Sequence, residues 1–503
     1  MYNPQKLHPI SYVMSIFRAI KSNIVPIFIF VLFVMKDFDY QDVSNYIFPG
    51  ILFVFFLITF IGDMIKTYKT RYWIENDHFV VTSGLFNLER KELNISRIQS
   101  MDTSQNMIHQ IVGGVRLQIQ TPSDGIALET VTKAQSDNIQ KEIEKRKSDI
   151  HNTDNVGEGH ISADSLESGS DTLNIHKEEL LYRLSTQNLL LMAMTSGAIF
   201  VTFATLSPLL TALSEHLPWN QLYDQFETRL HGTSVFVVSI VAVIVMISYV
   251  VGTIITMIRY FNYTLNRQGE YLTIRYGLFK VQKVTVPIQR IQAVIEHRSF
   301  LRTLFGYTAY DFVITSDMSI DLDNDFADGR VMILPFIRRQ EARQLLTDIV
   351  PSMKFHNVKL GLPWRGFHRR FWVLSLILII IASVVHYYYW PWLWFGVAPI
   401  IIYMSLNSMI AVKKSGWAYS EDEMAIRRVT YTGFRTTYFK HDKVLGWERH
   451  AHPLMTRSDL SHFSYKLAKG SLYMDVGLKF VERCDVDALQ AWYIGGGTYD
   501  DRW

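Results

Sequence analysis

The chain has 503 residues, of which 49% are hydrophobic and only 19% are charged, so part of this length is too apolar for a purely soluble protein. The 50 basic and 47 acidic residues leave a formal net charge of +3, which gives no strong field for gathering nucleic acid, and we expect no nucleic-acid partner. The single cysteine, Cys484, excludes an intramolecular disulfide and a cysteine-based zinc site.

Apolar stretches predict six membrane-spanning helices, because a helix needs about 20 apolar residues to cross a bilayer. The first stretch, between Lys21 and Lys36, is short and spans if its flanking lysines snorkel. The other five are 46–65, 189–213, 234–258, 371–390 and 392–412. They predict three hairpins, in segments 1–66, 177–258 and 351–412.

The basic residues next to the spans predict the orientation, because cytoplasmic loops are enriched in Lys and Arg. They fall on one side of the predicted hairpins, at Lys66, Lys69, Arg71, Arg259, Arg365, Arg369, Arg370, Lys413 and Lys414. We expect these side chains at the inner membrane surface. The sequence thus predicts a multi-pass protein of the cell membrane with its soluble domains and both termini in the cytoplasm.

Three polar segments follow the hairpins, at 67–147, 259–350 and 413–503, and two of them repeat clearly. Three landmarks share one offset of 193 residues: Gly84 with Gly277, Arg97-Ile98-Gln99 with Arg290-Ile291-Gln292, and Gly113 with Gly306. In the third segment Lys443-Val444-Leu445 stands for Arg-Ile-Gln, and Asp459 occupies the last glycine position. We interpret it as the same fold with a changed surface.

Within each repeat, apolar and polar residues alternate in short runs such as 78–82 and 271–275, which predicts antiparallel β-structure. Gly84, Gly277, Gly113 and Gly306 are predicted to be structural, in turns that favour the missing Cβ. A helical pattern closes each segment, for example at 133–147. The fold class is therefore α+β: three transmembrane hairpins, each followed by a small β-barrel or sandwich with a C-terminal helix.

The segment 148–176 between the first repeat and the second hairpin has six acidic residues and no Lys or Arg. It has too few large apolar residues to bury a core, so we predict a disordered acidic linker.

The sequence shows no pattern of a catalytic site. It has no phosphate loop, no Gly-x-Ser-x-Gly and no His-Glu-x-x-His. His441, His450, His452 and His462 lack carboxylates at a matching spacing, and the acidic run 317–328 does not fit the EF-hand loop. We expect no catalytic residues, no metal and no cofactor.

The repeat landmarks together resemble the bacterial PH-like (bPH2 or DUF304) membrane protein family in its YdbT-like form, with three PH-like domains each behind a transmembrane pair. The resemblance covers essentially the whole chain and includes the start, 7–10. It implies bent seven-stranded barrels, no catalytic residues, a smaller PH-like membrane protein as a partner, and a role in envelope defence and antimicrobial peptide resistance.

Two classes of function follow. The first is a non-enzymatic membrane scaffold whose PH-like domains bind a partner or self-associate, and which contacts membrane lipids. The alternative is a transporter or a lipid-handling membrane protein. For the scaffold, the candidate partner-binding residues are Arg97, Gln99, Arg290, Gln292 and Lys443. The Arg and Gln side chains could instead bond a neighbouring loop and close each domain, and the sequence leaves both readings open.

Overall fold

The computed structural model describes residues 3–23, 46–84, 87–98, 100–121, 125–155, 178–197, 202, 233–315, 329–388, 393–470 and 472–495. Within these residues, four helices are long and apolar enough to cross a membrane: Pro49–Lys69, Ala242–Arg259, Trp364–Tyr388 and Trp394–Lys414. Most of the spans predicted at 21–36 and 189–213, and all of the acidic run 317–328, lie outside the described residues. The prediction of six spans therefore stays a prediction.

The described chain alternates helices and antiparallel strands, as the α+β prediction requires. The helices are α1 Ile10–Ser22, α2 Ile47–Lys69, α3 Met107–Val112, α4 Lys133–Asn155, α5 Thr186–Met194, α6 Thr233–Arg259, α7 Phe300–Leu304, α8 Arg339–Ile349, α9 Trp372–Tyr388, α10 Trp394–Lys414, α11 Pro453–Thr456 and α12 Arg483–Ile494. The first strands are β1 Gln5–Lys6, β2 Arg71–Glu75, β3 His78–Ser83, β4 Glu89–Asn94, β5 Ser100–Gln105, β6 Gly114–Gln120, β7 Gly125–Thr132, β8 Glu179–Arg183, β9 Thr264–Gln268 and β10 Tyr271–Tyr276. The remaining strands are β11 Val281–Pro287, β12 Ile291–Ser299, β13 Tyr307–Ile314, β14 Arg330–Arg338, β15 Lys359–Leu360, β16 Gly416–Tyr419, β17 Glu423–Thr430, β18 Gly433–Lys440, β19 Val444–His450, β20 Leu460–Lys469 and β21 Leu472–Glu482.

The same order of elements recurs three times along the chain. A short strand precedes apolar helices, then come three strands, a 3-10 turn, a fourth strand, a short helix, two more strands and a closing helix. The short leading strands β1, β8 and β15 were not predicted from the sequence, because two to five residues show no clear alternation. The third repeat has the same order as the other two.

The chain divides into two compact units, 1–286 and 287–503. The first holds a four-stranded sheet, β1-β2-β3-β4, and a seven-stranded sheet, β7-β6-β5-β11-β10-β9-β8. The second holds a seven-stranded sheet, β14-β13-β12-β18-β17-β16-β15, and a three-stranded sheet, β19-β20-β21. Each seven-stranded sheet therefore contains strands of two successive repeats, whereas the sequence predicts one barrel inside each polar segment.

The core of the first unit forms between the four-stranded sheet and strands β6 and β7. Tyr72 and Phe79 of the first sheet pack with Leu117 and Ile119 of β6, and all four are fully buried. Ile139 of α4 belongs to the same cluster. The closing helix therefore covers one end of the core, as the sequence predicts. It continues eight residues beyond 147 to Asn155, so the prediction of a disordered linker over 148–176 is wrong for 148–155, and 156–176 lie outside the described residues. No Pro or Gly stops the helix before Gly157.

The second unit has its main core around the last sheet. Phe439, Tyr465 and Trp492 form ring contacts with centroids 5.5 to 6.4 Å apart, and Trp492 meets the other two rings edge to face. Tyr465 and Trp492 also place their polar atoms on backbone carbonyls, those of Leu489 and Ser420. These large side chains fill the interior of the third repeat.

Helices α1 and α2 contact each other through small polar side chains. The hydroxyls of Ser15 and Thr67 lie 3.1 Å apart, and Asn23 donates to the Thr59 hydroxyl at 3.2 Å. Helix α2 ends where the Thr70 hydroxyl donates to the Lys66 carbonyl at 2.7 Å. This end fixes the direction in which β2 leaves the membrane helix.

Candidate functional site: the strand junctions between repeats

The Arg-Ile-Gln landmarks mark the passage from the first three strands of a repeat to its fourth. Residues 95–97, 288–290 and 441–443 form 3-10 turns, each followed by the apolar residue of the landmark. Ile98 and Ile291 are buried, as expected from the repeat, and Val444 is half-buried. The arginines thus lie at the end of a turn and not within a strand, because the backbone must bend there to change sheets.

The candidate partner-binding residues around this turn differ in exposure and in the contacts that they make. Arg97 is exposed, and Arg290 and Gln292 are half-buried, with the Gln292 amide donating to the Arg290 carbonyl at 3.3 Å. Lys443 forms an ion pair with Asp442 at 3.0 Å. Gln99 lies outside the described residues. Their role in binding a partner stays a prediction.

The strand that follows this turn pairs with a strand of the next repeat. In the first junction β5 of repeat one pairs with β11 of repeat two, Val281 with Gln105 through Lys283 with Thr103. The Asp102 carboxylate then accepts a hydrogen bond from the Thr285 N–H at 2.8 Å. The side chain therefore continues the ladder where the backbone pairs end.

The second junction repeats this arrangement with a longer ladder. Strand β12 of repeat two pairs with β18 of repeat three over seven residue pairs, from Ala293 with Phe439 to Ser299 with Gly433. Gly433 is needed at the end of this ladder, because a Cβ there would lie 2.1 Å from the carbonyl oxygen of Arg298. A close backbone approach explains the missing side chain.

One face of the second junction buries an ion pair. The Glu296 side chain is 1% exposed and accepts hydrogen bonds from Arg339 Nε at 3.0 Å and Nη2 at 3.5 Å. The Thr308 and Tyr438 hydroxyls also donate to it, at 3.4 and 3.5 Å. Burial acts to lower the pKa of Arg339, but Glu296 outweighs it and the pKa of Arg339 is raised.

Basic side chains lie close together on the other face of this junction. Strand pairing places Arg428 opposite Arg435 and Arg435 opposite His297. Burial, followed by the charges of Arg428 and Arg330, lowers the pKa of Arg435 to about 10, and Asp311 opposes this shift. His297 Nε2 lies 2.9 Å from the Asp311 carboxylate, which balances part of the charge.

The junctions leave two strands open in the described part of the chain. Strand β4 corresponds to β11 and β18 in the repeat order, and β19 corresponds to β5 and β12. Each lies at one edge of its sheet. Four charged residues at 89–92 are exposed on β4, and Leu445 of β19 is 64% exposed.

The four glycines predicted to be structural all have positive φ: 143° at Gly84, 109° at Gly277, 72° at Gly113 and 74° at Gly306. Gly113 and Gly306 follow α3 and α7 and precede the next strand. Asp459, at the corresponding place after α11, has φ of 52°. The left-handed position is therefore kept in the third repeat, where Asp tolerates it better than most side chains.

The basic residues predicted at the membrane surface lie at helix ends. Lys66, Lys69, Arg259, Lys413 and Lys414 occupy the last turns of α2, α6 and α10. Arg71 donates to the carbonyls of Tyr68 and Thr70, just beyond α2. Before α9, Arg365 binds Glu482 at 2.8 Å, Arg369 binds the Leu454 carbonyl at 2.7 Å and Arg370 binds the Lys479 carbonyl at 2.6 Å. The arginines before α9 therefore fix the last sheet beside the helix entrance.

Potential metal ligands of the described residues are engaged elsewhere. Glu482, Cys484 and Asp485 lie close together, but Arg365 already binds Glu482. The histidines noted in the sequence are apart: His441 contacts the Tyr493 carbonyl, His450 pairs with Glu448 and His452 caps α11. His462 Nδ1 accepts the Phe480 N–H at 2.9 Å. These contacts give the histidines structural roles.

Comparison with known proteins agrees with the repeat pattern. The profile of the bacterial PH domain family (bPH_2) matches residues 26–147 and 199–352, more than half of the chain. The UPF0699 transmembrane protein YdbT of Bacillus subtilis (strain 168) is 28% identical over 441 residues, which cover 85% of each chain. No solved structure matches. The family resemblance inferred from the landmarks is thus confirmed: the chain belongs to the bacterial PH domain (bPH_2) family and is a YdbT-like membrane protein.

Proposed function

We propose that this protein is a non-enzymatic, membrane-anchored scaffold that assembles with another PH-like domain in envelope defence against antimicrobial peptides. The observation that carries the proposal is that the two strand junctions use corresponding strands, β5 with β11 and β12 with β18. The same mode of pairing, used twice within the chain, is available to a further domain at an open edge.

Strand β4 is the acceptor edge that we propose for the partner. It occupies the place of β11 and β18, which each receive a strand from the preceding repeat. A PH-like domain on another chain, or in a second copy of this one, would offer the strand that corresponds to β5 or β12. Adding a strand to a sheet edge supplies backbone hydrogen bonds, and the side chains provide selectivity.

Charge on β4 supports a selective partner. Glu89, Arg90, Lys91 and Glu92 are all exposed, and charged edges suppress indiscriminate strand pairing. A partner strand must therefore match both signs of charge. The two basic residues lie between two acidic ones, so the edge has no net charge over 89–92.

The filled interiors favour a scaffold over the lipid-handling alternative. A protein that carries a lipid needs an apolar cavity, whereas the described core of the first unit is closed by Tyr72, Phe79 and Ile119. In the last sheet, Phe439 and Tyr465 fill the corresponding space. Transport also calls for charged residues along the spans, and Asp63 is the one carboxylate within the described helix α2.

A photo-crosslinking experiment tests the partner edge. A photoreactive amino acid replaces Lys91 on β4 in the full chain, and the same residue at Glu270, exposed in the β9–β10 turn, serves as the control. We expect a crosslink from position 91 to a PH-like domain, identified by mass spectrometry from native membranes. Equal crosslinking from both positions, or crosslinks to unrelated proteins alone, would contradict the edge.

A charge-reversal variant tests whether the β4 edge is needed for protection against antimicrobial peptides. The double variant Arg90→Glu/Lys91→Glu is compared with Lys133→Glu, an exposed lysine of α4, for partner capture and survival with antimicrobial peptides. We expect the double variant to accumulate normally but to lose both. Retained capture with lost protection would reject the edge, and lost capture with full protection would reject the defence role.

The predicted topology has its own test. Lys133, Glu270 and Leu472 are exposed, one in each repeat and all away from β4, and each is replaced by Cys in a Cys484→Ser background. We expect no labelling by an impermeant maleimide in intact cells and full labelling after lysis. Labelling of one position in intact cells would place that repeat outside the cytoplasm.

A further inference from the structure

Large apolar side chains are exposed together at one end of the second unit. Leu301, Leu304 and Phe305, in and just after α7, are 55%, 76% and 64% exposed, and Tyr431 in the β17–β18 turn is 61% exposed. The Phe300 N–H donates to the Thr432 carbonyl at 3.1 Å, which joins α7 to this turn. We call Leu301, Leu304, Phe305 and Tyr431 the second apolar pad.

This pad lies beside a membrane-spanning helix. The Tyr403 hydroxyl of α10 donates a hydrogen bond to the Tyr431 carbonyl. Tyr403 precedes Lys414, the last residue of α10, by eleven residues, or about 16 Å along the helix axis. The turn therefore lies alongside the middle of α10 and not at its C-terminal end.

One face of α10 is buried against protein. Met404, Ser408, Ala411 and Val412 are buried. The Ser408 hydroxyl donates to the Phe367 carbonyl at 2.7 Å, just before α9. These residues lie on one face of the last turns of α10, and Tyr403 and Leu406, 45% and 50% exposed, lie outside that face.

A similar arrangement occurs in the first unit. Met107 and Ile111 of α3 are 50% and 83% exposed, and the Gln110 amide donates to the carbonyls of Leu278 and Phe279 at 3.0 and 3.1 Å. The Leu278 N–H in turn donates to the carbonyl of Ile258, in the last turn of α6. Met107, Ile111, Leu278 and Phe279 form the first apolar pad.

We propose that both apolar pads are immersed in the bilayer and hold the strand junctions against it. The partner is the lipid itself, because each pad is tied by hydrogen bonds to a helix that is long and apolar enough to cross the membrane. Isolated exposed leucines are ordinary on a soluble surface, but these are grouped and recur at corresponding places in two repeats. A tyrosine at the margin of such a group suits the membrane interface.

The hairpin of the second pad is longer than the hairpin of the first. Strand β17 runs from Glu423 to Thr430 and has eight residues, whereas the corresponding β10 has six. Two additional residues extend a strand by about 7 Å. The turn of the first pad accordingly meets the end of α6, and that of the second meets the middle of α10.

Fluorescence quenching in vesicles tests the second pad. Full-length Cys484→Ser protein carries one new cysteine, Leu304→Cys or Leu472→Cys, labelled with an environment-sensitive nitrobenzoxadiazole probe. Leu472 is also exposed, but it begins β21, whose other end is held at the membrane helix by Arg365 on Glu482. The ten residues between them extend about 33 Å, so Leu472 is a control away from the membrane.

In phosphatidylcholine and phosphatidylglycerol vesicles with nitroxide-labelled acyl chains, we expect blue-shifted emission at position 304. Quenching there should be several-fold stronger than at position 472. Ile111→Cys gives the corresponding test of the first pad, and Phe305→Cys replaces a Leu304 variant that does not accumulate. Water-like emission and no added quenching would overturn the proposal. Blue-shifted emission without quenching would also overturn it, since protein and not lipid would then cover the pad.

Discussion

The Asp102 carboxylate accepts a hydrogen bond from the backbone N–H of Thr285 at 2.8 Å, and this contact joins the first repeat to the second. Asp102 is 6% exposed, so no water replaces the bond at low cost. A side chain of one repeat thus completes the backbone ladder of the next. It extends the backbone ladder of β5 and β11, which joins the two repeats into one sheet.

Removing that carboxylate should loosen the first junction. We expect Asp102→Ala to leave the Thr285 N–H unsatisfied at a cost of about 1 to 2 kcal/mol, which corresponds to roughly tenfold faster local opening. Hydrogen–deuterium exchange of peptides covering 281–287 measures this. Asp137→Ala, at an exposed position of α4, is the control and should leave the exchange unchanged. Equal exchange in both variants would show that Asp102 does not support β11.

A methyl group at Gly433 should separate the strands of the second junction. The added Cβ would meet the Arg298 carbonyl at 2.1 Å, so β12 and β18 must move apart. We expect Gly433→Ala to lower the unfolding temperature and expose 293–299 to exchange. Gly446→Ala is the matched control, because its Cβ would meet its nearest atom, on Lys466, at 3.9 Å. Equal unfolding temperatures and equal exchange of 293–299 in the two variants would show that the strands at Gly433 accommodate a methyl group.

The buried pair Glu296 and Arg339 should show strong coupling in a double-mutant cycle. Arg339→Met leaves the Glu296 carboxylate charged and 1% exposed, and we expect it to cost about 3 kcal/mol. Glu296→Gln should cost less, about 1 kcal/mol, because the Arg339 side chain is 34% exposed and water can solvate it. The double variant should cost less than the sum of the two. Denaturant unfolding of the full chain in detergent measures the free energies. Additive costs would mean that the pair acts as two independent residues.

His462 should make the last sheet less stable in mild acid. Burial, followed by the charge of Lys479, lowers the pKa of His462 to about 4; Arg370 and His450 add to this shift, and the Ser461 backbone opposes it. Because the pKa of the unfolded state is about 6.5, the stabilising contribution is complete above that pH and is lost as pH falls towards 4. We expect a loss of roughly 2 kcal/mol.

Thermal unfolding between pH 7.5 and pH 4 measures this dependence. His462→Asn keeps an acceptor for the Phe480 N–H but does not titrate, so its unfolding temperature should vary less with pH. The same pH dependence in both proteins would assign the acid sensitivity to other groups.

The left-handed turns after the short helices should reject branched residues. We expect Gly306→Val, at φ of 74°, to cost about 1 to 2 kcal/mol and to lower membrane accumulation. Asp459→Gly, at the corresponding turn, should be neutral or slightly stabilising. Protease resistance and abundance in membranes measure both. A Gly306→Val protein as abundant as the wild type would contradict the turn argument.

Four of the six predicted spans coincide with long apolar helices among the described residues, and the antiparallel strands and closing helices could also be predicted, because their sequence signals are local. A charge-free run such as 234–258 fixes a helix by its length alone, and the alternation at 271–275 fixes a strand by its period. The turn glycines were predictable for the same reason, since φ is a property of one residue. The leading strands β1, β8 and β15 were too short to give such a signal.

The strand junctions depended on tertiary structure alone. The offset of 193 residues identifies Gly277 and Arg290 as repeats of Gly84 and Arg97, but it does not show that β11 pairs with β5 of the preceding repeat. An edge strand offers the same backbone donors and acceptors to every neighbour, so pairing partners are set by which edges meet in space. The sequence by itself determined the apolar helices and the family, whereas the three-dimensional arrangement decided which strands joined, which strand edges remained open among the described residues, and which apolar side chains were exposed together.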